Sequence, residues 1–252
     1  MEEPTRLQNI ARILCRLSAL LSLVLALSCG QTPLVSSVDE ESIFNGKDLS
    51  GWSGDPKLWS VRDGMLVGST EGHELKANTF LIHQGTYSDF HLSADVRLRN
   101  GNSGIQFRSQ RLPLEGWVMA GYQSDFSDDG PRSGWGNLYE ERGRARGLMA
   151  NEYEGWNAAK SHVRVGDWNR IEVRCQGSEI QLWLNGVSTI LARDEAASDG
   201  RIGLQLHVGK PMQVEFRNLR VRRLSPSQRV SAVGRVIDKS EVGTHPSGKK
   251  TP

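Results

Sequence analysis

The stretch RIGLQLHVG, residues 201–209, contains the pattern that decides the fold class. Apolar residues stand at the four even positions from 202 to 208, while Gly203 and Gly209 flank Gln205 and His207 at the odd positions. A period of two predicts a β-strand with one apolar and one polar face. A face that only meets water more often carries Lys, Glu, Thr or Ser. The two glycines are expected to leave room for a ring close to the backbone.

The same alternation recurs along the chain, with turn signals between the segments. The further segments are LWSVRDGMLVGS (58–69), HLSADVRLR (91–99), GNSGIQFRSQ (101–110), WVMAGYQSDF (117–126), WNRIEVRCQGSEIQLWLNGV (168–187) and VEFRNLRVRRL (214–224). No segment sustains a helical period over three turns. Many strands without alternating helices predict an all-β protein, an antiparallel sandwich or barrel.

The N-terminal residues have the layout of an export signal. Arginines precede a short apolar run at 17–27 that ends in ALSCG, and the run is too short to span a bilayer. Cys29 resembles the acylated residue of a bacterial lipoprotein, and a plain signal peptide is the alternative. The sequence therefore predicts a signal at 1–29, a tether at 30–42, a folded domain at 43–224 and a disordered tail at 225–252. The protein is expected in the periplasm or at the cell surface, attached to the membrane only through a lipid on Cys29.

Composition narrows the possible partners. A net charge of +2 among 252 residues does not suggest nucleic acid. Cys175 is the only cysteine beyond the leader, which excludes a disulfide framework, and its alternation predicts a buried apolar position. Seven tryptophans suit either sugar stacking or a large core. Core packing is predicted for Phe44, Trp52, Trp59, Trp168 and Trp183.

The polar faces of three strands carry side chains with planar donors and acceptors. These are Gln106 and Arg108, Gln123 and Asp125, and Gln205 and His207. Such side chains suit a groove that forms hydrogen bonds with hydroxyl groups. Because the pattern does not establish which strands are neighbours, scattered solvent-facing residues are an equal alternative.

Four segments in order resemble the 3-keto-disaccharide hydrolase family, also described as 3-keto-glucoside lyase and 3-keto-2-hydroxy-glucal hydratase domains. They are FNGKDLSGW (44–52), GNSGIQFR (101–108), DWNRIEVRCQGSEIQLWLNG (167–186) and GRIGLQLHVGKPMQVEFRNLRV (200–221). The resemblance covers residues 42–224. It implies a concanavalin A-like jelly-roll sandwich that cleaves glycosides oxidised at C3 of the sugar.

The implied reaction begins with removal of the acidic C2 proton, continues with β-elimination of the C1 substituent and ends with hydration. It needs a base, hydrogen-bond donors or a cation at the ketone oxygen, and an acid at the leaving oxygen. A divalent metal ion could serve as the electrophile, although the sequence does not identify one.

The resemblance suggests roles for individual residues. His207 is the first choice as base, acid or metal ligand. Arg108 could bind the ketone oxygen, with a structural salt bridge as the equal alternative. Gln123 stands where many relatives carry glutamate, and since an amide cannot act as a base, that role would pass to Asp125 or His207. Gln106, Gln123 and Gln205 are expected to bind substrate.

Long irregular segments in compact domains, such as 127–155, are often functional. This one resembles the variable loop that covers the groove in the family. Tyr139, Glu140 and Trp135 are its candidate substrate-binding residues, with simple exposure as the alternative. A non-catalytic carbohydrate-binding module of the same fold is the competing function. A laminarinase-type glycosidase is disfavoured, because no strand carries the required pair of carboxylates.

Overall fold

A computed structural model describes residues 40–128, 134–143 and 158–225. The chain divides into a unit at Met1–Ser37, which lies outside the described residues, and a unit at Val38–Pro252. The predicted signal, Cys29 and all but Ser225 of the predicted tail therefore lie outside the described residues. Within the described ranges, no helix is long and apolar enough to cross a membrane.

Strands account for nearly all the regular structure in the described residues. They are β1 (Glu41–Ser42), β2 (Trp52–Ser53), β3 (Trp59–Arg62), β4 (Met65–Ser69), β5 (Thr79–Tyr87), β6 (Phe90–Asn100), β7 (Asn102–Arg111), β8 (Met119–Ser127), β9 (Asn137–Glu141), β10 (Asn169–Gln176), β11 (Glu179–Leu184), β12 (Val187–Arg193), β13 (Gly200–Leu206) and β14 (Gln213–Arg223). Residues 158–160 are helical.

The strands form two antiparallel sheets. Sheet A has the order β12-β11-β10-β6-β14-β4-β3, with β1 paired to β14, and sheet B has the order β2-β5-β13-β7-β8-β9. The inner faces of both sheets contribute to one hydrophobic core, which includes Val96, Val173 and Phe216 from sheet A and Phe107 and Leu204 from sheet B. The predicted jelly-roll sandwich is confirmed. The strands run from Glu41 to Arg223, and the sequence predicts a folded domain from 43 to 224.

The stretch 201–209 forms most of β13, which lies between β5 and β7 in sheet B. Ile202, Leu204 and Leu206 are buried in the core, as the alternation predicts. Val208 is different: it follows the end of the strand and 37% of its surface is exposed. The inward face of the strand therefore ends at Leu206, and the turn that follows presents Val208 to solvent.

The aromatic residues divide between the core and the surface. Phe44, Trp52 and Trp59 lie in the core, as predicted. The core prediction is wrong for Trp168, which is only partly buried and lies below two guanidinium groups, those of Arg97 at 4.6 Å and Arg217 at 3.9 Å from its ring centroid. It is also wrong for Trp183, because that position on β11 alternates with buried residues and faces outward. The aliphatic stems of neighbouring charged side chains provide apolar contact for such rings at a surface.

The hairpin between β7 and β8 folds back over the outer face of sheet B. The carbonyl of Trp117 accepts a hydrogen bond from the backbone N–H of Phe80 on β5, at 2.8 Å. Phe80, Ile82 and Met119 form a second hydrophobic cluster on this face, with Trp117 packed against it. The outer face of sheet B thus has an apolar part, covered by the hairpin, beside the polar part described next.

Candidate active site

Three glutamines from neighbouring strands meet on the outer face of sheet B. Gln106 on β7 lies opposite Gln123 on β8, and Gln106 Nε2 donates to Gln123 Oε1 at 3.3 Å. Gln123 Nε2 donates in turn to Gln205 Oε1 on β13 at 3.2 Å. Opposed residues of neighbouring strands face the same side of a sheet, and the polar faces therefore form one site instead of scattered surface positions.

Hydrogen bonds extend from these amides to two carboxylates. Gln123 Nε2 donates to Asp125 Oδ1 at 3.0 Å, and Gln205 Nε2 donates to Glu141 Oε2 at 3.4 Å. Asn78 Nδ2 also donates to Glu141, at 3.3 Å from each carboxylate oxygen. Because carboxylates only accept hydrogen bonds when ionised, they fix which end of each amide is the donor. Gln123 therefore positions Asp125, a role that an amide can perform although it cannot act as a base.

These groups surround a cavity of about 170 Å³, the size of a single sugar ring. Every residue of its lining has a polar side chain: Asn78, Asn102, Gln123, Asp125, Tyr139, Glu141, Gln205 and His207. Gly104 makes this packing possible, because a Cβ there would lie 2.4 Å from Cδ of Gln123. The site thus provides many donors and acceptors for hydroxyl groups, with two carboxyl groups among them.

Burial changes the protonation of both carboxyl groups. The pKa of Asp125 is raised from its ordinary value of 3.8 to about 7, mainly by burial; the hydrogen bond from Gln123 opposes the change, and the nearby charge of Glu141 adds to it. Burial also raises the pKa of Glu141, against the hydrogen bond from Asn78 and the charges of Arg142 and His207. A strongly shifted carboxyl in a polar cavity is typical of a catalytic group.

His207 lies at the mouth of this cavity. Its backbone N–H contacts Sδ of Met212 at 3.3 Å, and ring atom Nδ1 lies beside the carbonyl of Val208. His207 also lines a second, larger cavity of about 460 Å³. It therefore lies between the two spaces, where it can exchange a proton with a group that extends from one into the other.

A family model described as a 3-keto-alpha-glucoside-1,2-lyase-like domain matches residues 39–222, which include both sheets and every residue of the site. The chain belongs to this family. None of the curated protein sequences compared with this lyase-like domain matches it significantly.

Solved structures with a similar fold support the architecture of the lyase-like domain. A candidate glycosyl hydrolase from Parabacteroides distasonis is 21% identical and covers 75% of this chain and 95% of its own, with a TM-score of 0.54. The carbohydrate-binding module CBM66 from Bacillus subtilis is 17% identical and covers 68% and 95%, with a TM-score of 0.51. A Bacillus subtilis protein of unknown function with a galectin-like fold is 14% identical and covers 75% and 96%, with a TM-score of 0.53. At these identities the likeness concerns the fold alone.

Arg108 does not face the cavity of the lyase-like domain. It is buried within β7, where the pairing of β7 with β8 shifts between Phe107 and Gln110 and its own φ is +45°. Its guanidinium donates to the carbonyls of Ser88, Gly177 and Ala197 and to Asp89 Oδ1 at 3.1 Å. The predicted catalytic position of Arg108 is therefore wrong, because the bulge breaks the alternation that would place it beside Gln106.

Two of the three loop candidates are also wrong. Trp135 is fully buried and stacks on Phe126 with ring centroids 5.0 Å apart, so it cannot touch a substrate. Glu140 lies opposite the core residue Tyr122 in the strand register and therefore faces the other side of the sheet. Tyr139 does line the cavity, whereas Gln106 lies fully buried beneath it and supports Gln123.

The sequence interpretation missed Glu141 and Asn78. Glu141 belongs to β9, which is only five residues long, and shares the outward face with Tyr139. Applying a period of two from Tyr139 would have selected Glu141 instead of Glu140. Asn78 directly precedes β5 and carries no pattern of its own; only the pairing of β5 with β13 brings it to the site.

The proposal of a divalent metal ion receives no support from the side chains present. Among the described residues, no group of three or more His, Cys, Asp or Glu side chains is arranged to hold a metal. Four of the eight residues that line the cavity are amides, which are weaker ligands than the carboxylate, imidazole and thiolate groups of typical sites.

Proposed function

We propose that this domain cleaves glycosides that carry a ketone at C3, by elimination followed by addition of water. The observation that carries the proposal is the Asp125 carboxyl, with its pKa raised to about 7, in a polar cavity of sugar size. Membership of the lyase-like family supplies the substrate class. A general base works best when its pKa lies near the working pH.

Asp125 is assigned the role of the base that removes the proton at C2. The ketone at C3 makes that proton acidic, since the electron pair left behind becomes part of an enolate. Side chains that line the same cavity, among them Tyr139 and Gln205, can donate hydrogen bonds to the negative oxygen. The enolate then re-forms its ketone, a C1–C2 double bond appears and the C1–O bond breaks.

His207 is assigned the role of donating a proton to the leaving oxygen, because it lies where the two cavities adjoin. Water then adds to the double bond: its hydroxyl bonds to C1, its other proton returns to His207, and the proton held by Asp125 passes to C2. Asp125 thus ends each cycle ionised, as it began. The sum of the two steps is hydrolysis of the glycoside.

The assay for this function incubates the purified protein with a 3-keto-disaccharide and follows the released sugar by chromatography. We expect stoichiometric release of a free sugar and a 3-keto sugar, with the conjugated enone as a transient ultraviolet absorber. Saturable binding of the disaccharide without any release would overturn the proposal. It would instead favour a non-catalytic carbohydrate-binding module.

The pH profile of kcat tests the role of Asp125. Only the ionised carboxylate can accept the C2 proton, so kcat is expected to rise with pH through a limb near pH 7. The charges of Glu141 and His207 both act on this cavity, and the negative charge of Glu141 raises the pKa of Asp125. Glu141→Gln is therefore expected to move the limb to lower pH. A limb that stays in place would show that another group titrates.

A further inference from the structure

The two cavities on the outer face of sheet B both belong to the proposed active site. The larger one is lined by His207 and by the turn at 208–210, and it adjoins the smaller one. Beside them a Cβ on Gly203 would lie 2.3 Å from Sδ of Met119, so Met119 fills the space above this glycine. The expectation that a sugar ring lies over Gly203 is therefore wrong. The opposite face of the sandwich, on sheet A, differs in both charge and shape.

Arginines are in excess on the outer face of sheet A. The carboxylates of its strands are each shared by two basic side chains: Asp95 by Arg170 and Arg217, Glu172 by His91 and Arg170, Glu179 by Arg174 and Arg193, and Glu215 by Arg97 and Arg99. Arg220 lies 4.0 Å from Glu40, and Arg222 forms no ion pair with another described residue. This face therefore has cationic groups left for an anionic partner.

A bulge in β14 gathers part of this excess in one place. The pairing of β14 with β6 shifts between Arg217 and Arg220, and Asn218 within the bulge has a φ of +53°. Strict alternation from Arg217 would turn Arg220 inward, but the extra residue keeps it outside while Leu219 packs in the core. Arg222 continues the row on the same face, two residues further along, at a spacing of about 7 Å.

The bulge forms one wall of a pocket of about 280 Å³, called here the arginine pocket, to which it contributes Arg217, Asn218 and Arg220. The other walls come from the end of β1 with the segment after it, and from the turn between β3 and β4. They supply apolar surface from Phe44 and Met65 as well as polar groups. Two guanidinium groups face one carboxylate, that of Asp63, among the lining residues, so the pocket is positively charged.

Contacts hold the guanidinium of Arg217 in position at this pocket. It lies 3.9 Å from the ring centroid of Trp168, and its Nε lies 3.5 Å from Oδ2 of Asp95. Neither Arg217 nor Arg220 donates a hydrogen bond to another described residue, although each guanidinium carries five N–H donors. A positioned cation with unused donors is suited to bind a carboxylate or a sulfate through paired hydrogen bonds.

We propose that the arginine pocket binds an acidic polysaccharide, with one carboxylated or sulfated sugar ring in the pocket and the next acidic group of the polymer beside Arg222. A single inorganic anion would fill only a small part of the volume, whereas the apolar surface of Phe44 and Met65 suits the C–H face of a sugar ring. The pocket lies on the opposite sheet from Asp125. The polymer and a substrate can therefore bind at the same time, and the inference does not depend on the proposed function.

The residues that follow β14 do not supply the missing negative charge. The segment 226–252 contains five basic residues and two acidic ones: Arg229, Arg235, Lys239, Lys249 and Lys250 against Asp238 and Glu241. Because like charges repel, this segment is unsuited to neutralise the arginine row. The partner is therefore expected to be a separate molecule.

Titration calorimetry of the full-length protein with polygalacturonate and with dextran sulfate tests the proposal and distinguishes a carboxylate site from a sulfate site. We expect saturable binding of at least one of these polymers and none of uncharged dextran. The affinity should fall about tenfold when the salt concentration is raised to about 0.5 M, because salt screens exposed charges. Arg220→Gln and Arg222→Gln should each weaken binding about tenfold, as the loss of one hydrogen bond to a charged group would.

Arg193→Gln is the matched control, since it removes the same charge from an exposed arginine on β12, at the edge of sheet A. Its affinity for the polymer should match that of the wild type. Equal losses in Arg193→Gln, Arg220→Gln and Arg222→Gln would show attraction to the whole face and contradict a site in the arginine pocket.

The remaining outcomes separate this inference from the proposed function. If neither acidic polymer binds, or if uncharged dextran binds as tightly, the inference is wrong even if the protein cleaves a 3-keto-disaccharide. Binding of double-stranded DNA or of phosphatidylglycerol vesicles without binding of either polymer would also overturn it, because the partner would belong to another class. If an acidic polymer binds as expected but no 3-keto-disaccharide is cleaved, the proposed function fails and the polysaccharide site stands.

Discussion

Asp125→Asn is expected to lower kcat by a factor of about 10²–10⁴, the usual contribution of a positioned acid–base group. The substitution keeps the shape of the side chain, and the new carbonyl oxygen can still accept the hydrogen bond from Gln123. The loss therefore reports on proton transfer instead of disturbed packing. The measurement is the steady-state release of sugar from a 3-keto-disaccharide.

Asp125→Asn is expected to raise the thermal stability of the protein, although it lowers kcat. The pKa of Asp125 lies near 3.8 in the unfolded chain and about 7 in the fold, so the folded state holds a proton that the unfolded state has lost between these values. Stability contributed by this group is therefore lost as pH rises through that window. Asp125→Asn does not ionise and should melt at a higher temperature than the wild type at pH 8.

Asp63→Asn is the matched control for Asp125→Asn, since Asp63 is exposed in the β3–β4 turn with a φ of +50°, which asparagine accepts. It should leave both kcat and the melting temperature nearly unchanged. If Asp125→Asn kept more than a tenth of the wild-type kcat, Asp125 would not be the base, and His207 would be the next residue to replace.

Arg108→Met is expected to lower the free energy of unfolding by about 3–5 kcal/mol, the usual effect of removing one partner of a buried ion pair. The substitution leaves Asp89 without its closest cation and three backbone carbonyls without their donor. The fraction of the Arg108→Met variant that folds should keep the wild-type kcat, because the guanidinium of Arg108 lies away from the cavity. Urea unfolding followed by tryptophan fluorescence measures the free energy of unfolding. The kcat is calculated with the concentration of active protein determined by titration.

Arg193→Met provides the comparison for Arg108→Met. Arg193 is 47% exposed at its side chain and lies 3.8 Å from Glu179, as a surface pair. Such pairs contribute about 0–1 kcal/mol, so the variant should unfold close to the wild type. If Arg108→Met were as stable as Arg193→Met but inactive, the result would support a catalytic role for Arg108.

The alternation in residues 201–209 was sufficient to predict a strand, its inward face and the outward position of Gln205. Period two is a property of the backbone and does not depend on which strands are neighbours. The shared site of Gln106, Gln123 and Gln205 could not be predicted in the same way, because it depends on the order β13-β7-β8. The pairing of β13 with β7 joins residues more than 90 positions apart, such as Leu204 and Ile105, and no local pattern predicts it.

The errors at Arg108 and Glu140 have a common physical origin. In both cases an error of one residue in the alternation puts the side chain on the wrong face of the sheet. A bulge in β7 causes the error for Arg108, and the alternation of the short strand β9 is misplaced by one residue for Glu140. A shift of a single residue exchanges the two faces of a strand. The sequence predicts Trp135 as a substrate-binding residue of the irregular segment 127–155, but stacking on Phe126 places it in the core.

The two cavities are built from different kinds of backbone. Asp125, Gln123 and Gln205 project from the middle strands of sheet B, which have neighbours on both sides, whereas Val208, Gly209 and Lys210 lie in a turn. Turns accept substitutions and insertions more readily than paired strands. The turn can therefore change in sequence without disturbing the side chains that project from the strands. This division would let the shape of the larger cavity vary while the hydrogen-bonded carboxyl group of Asp125 keeps its position.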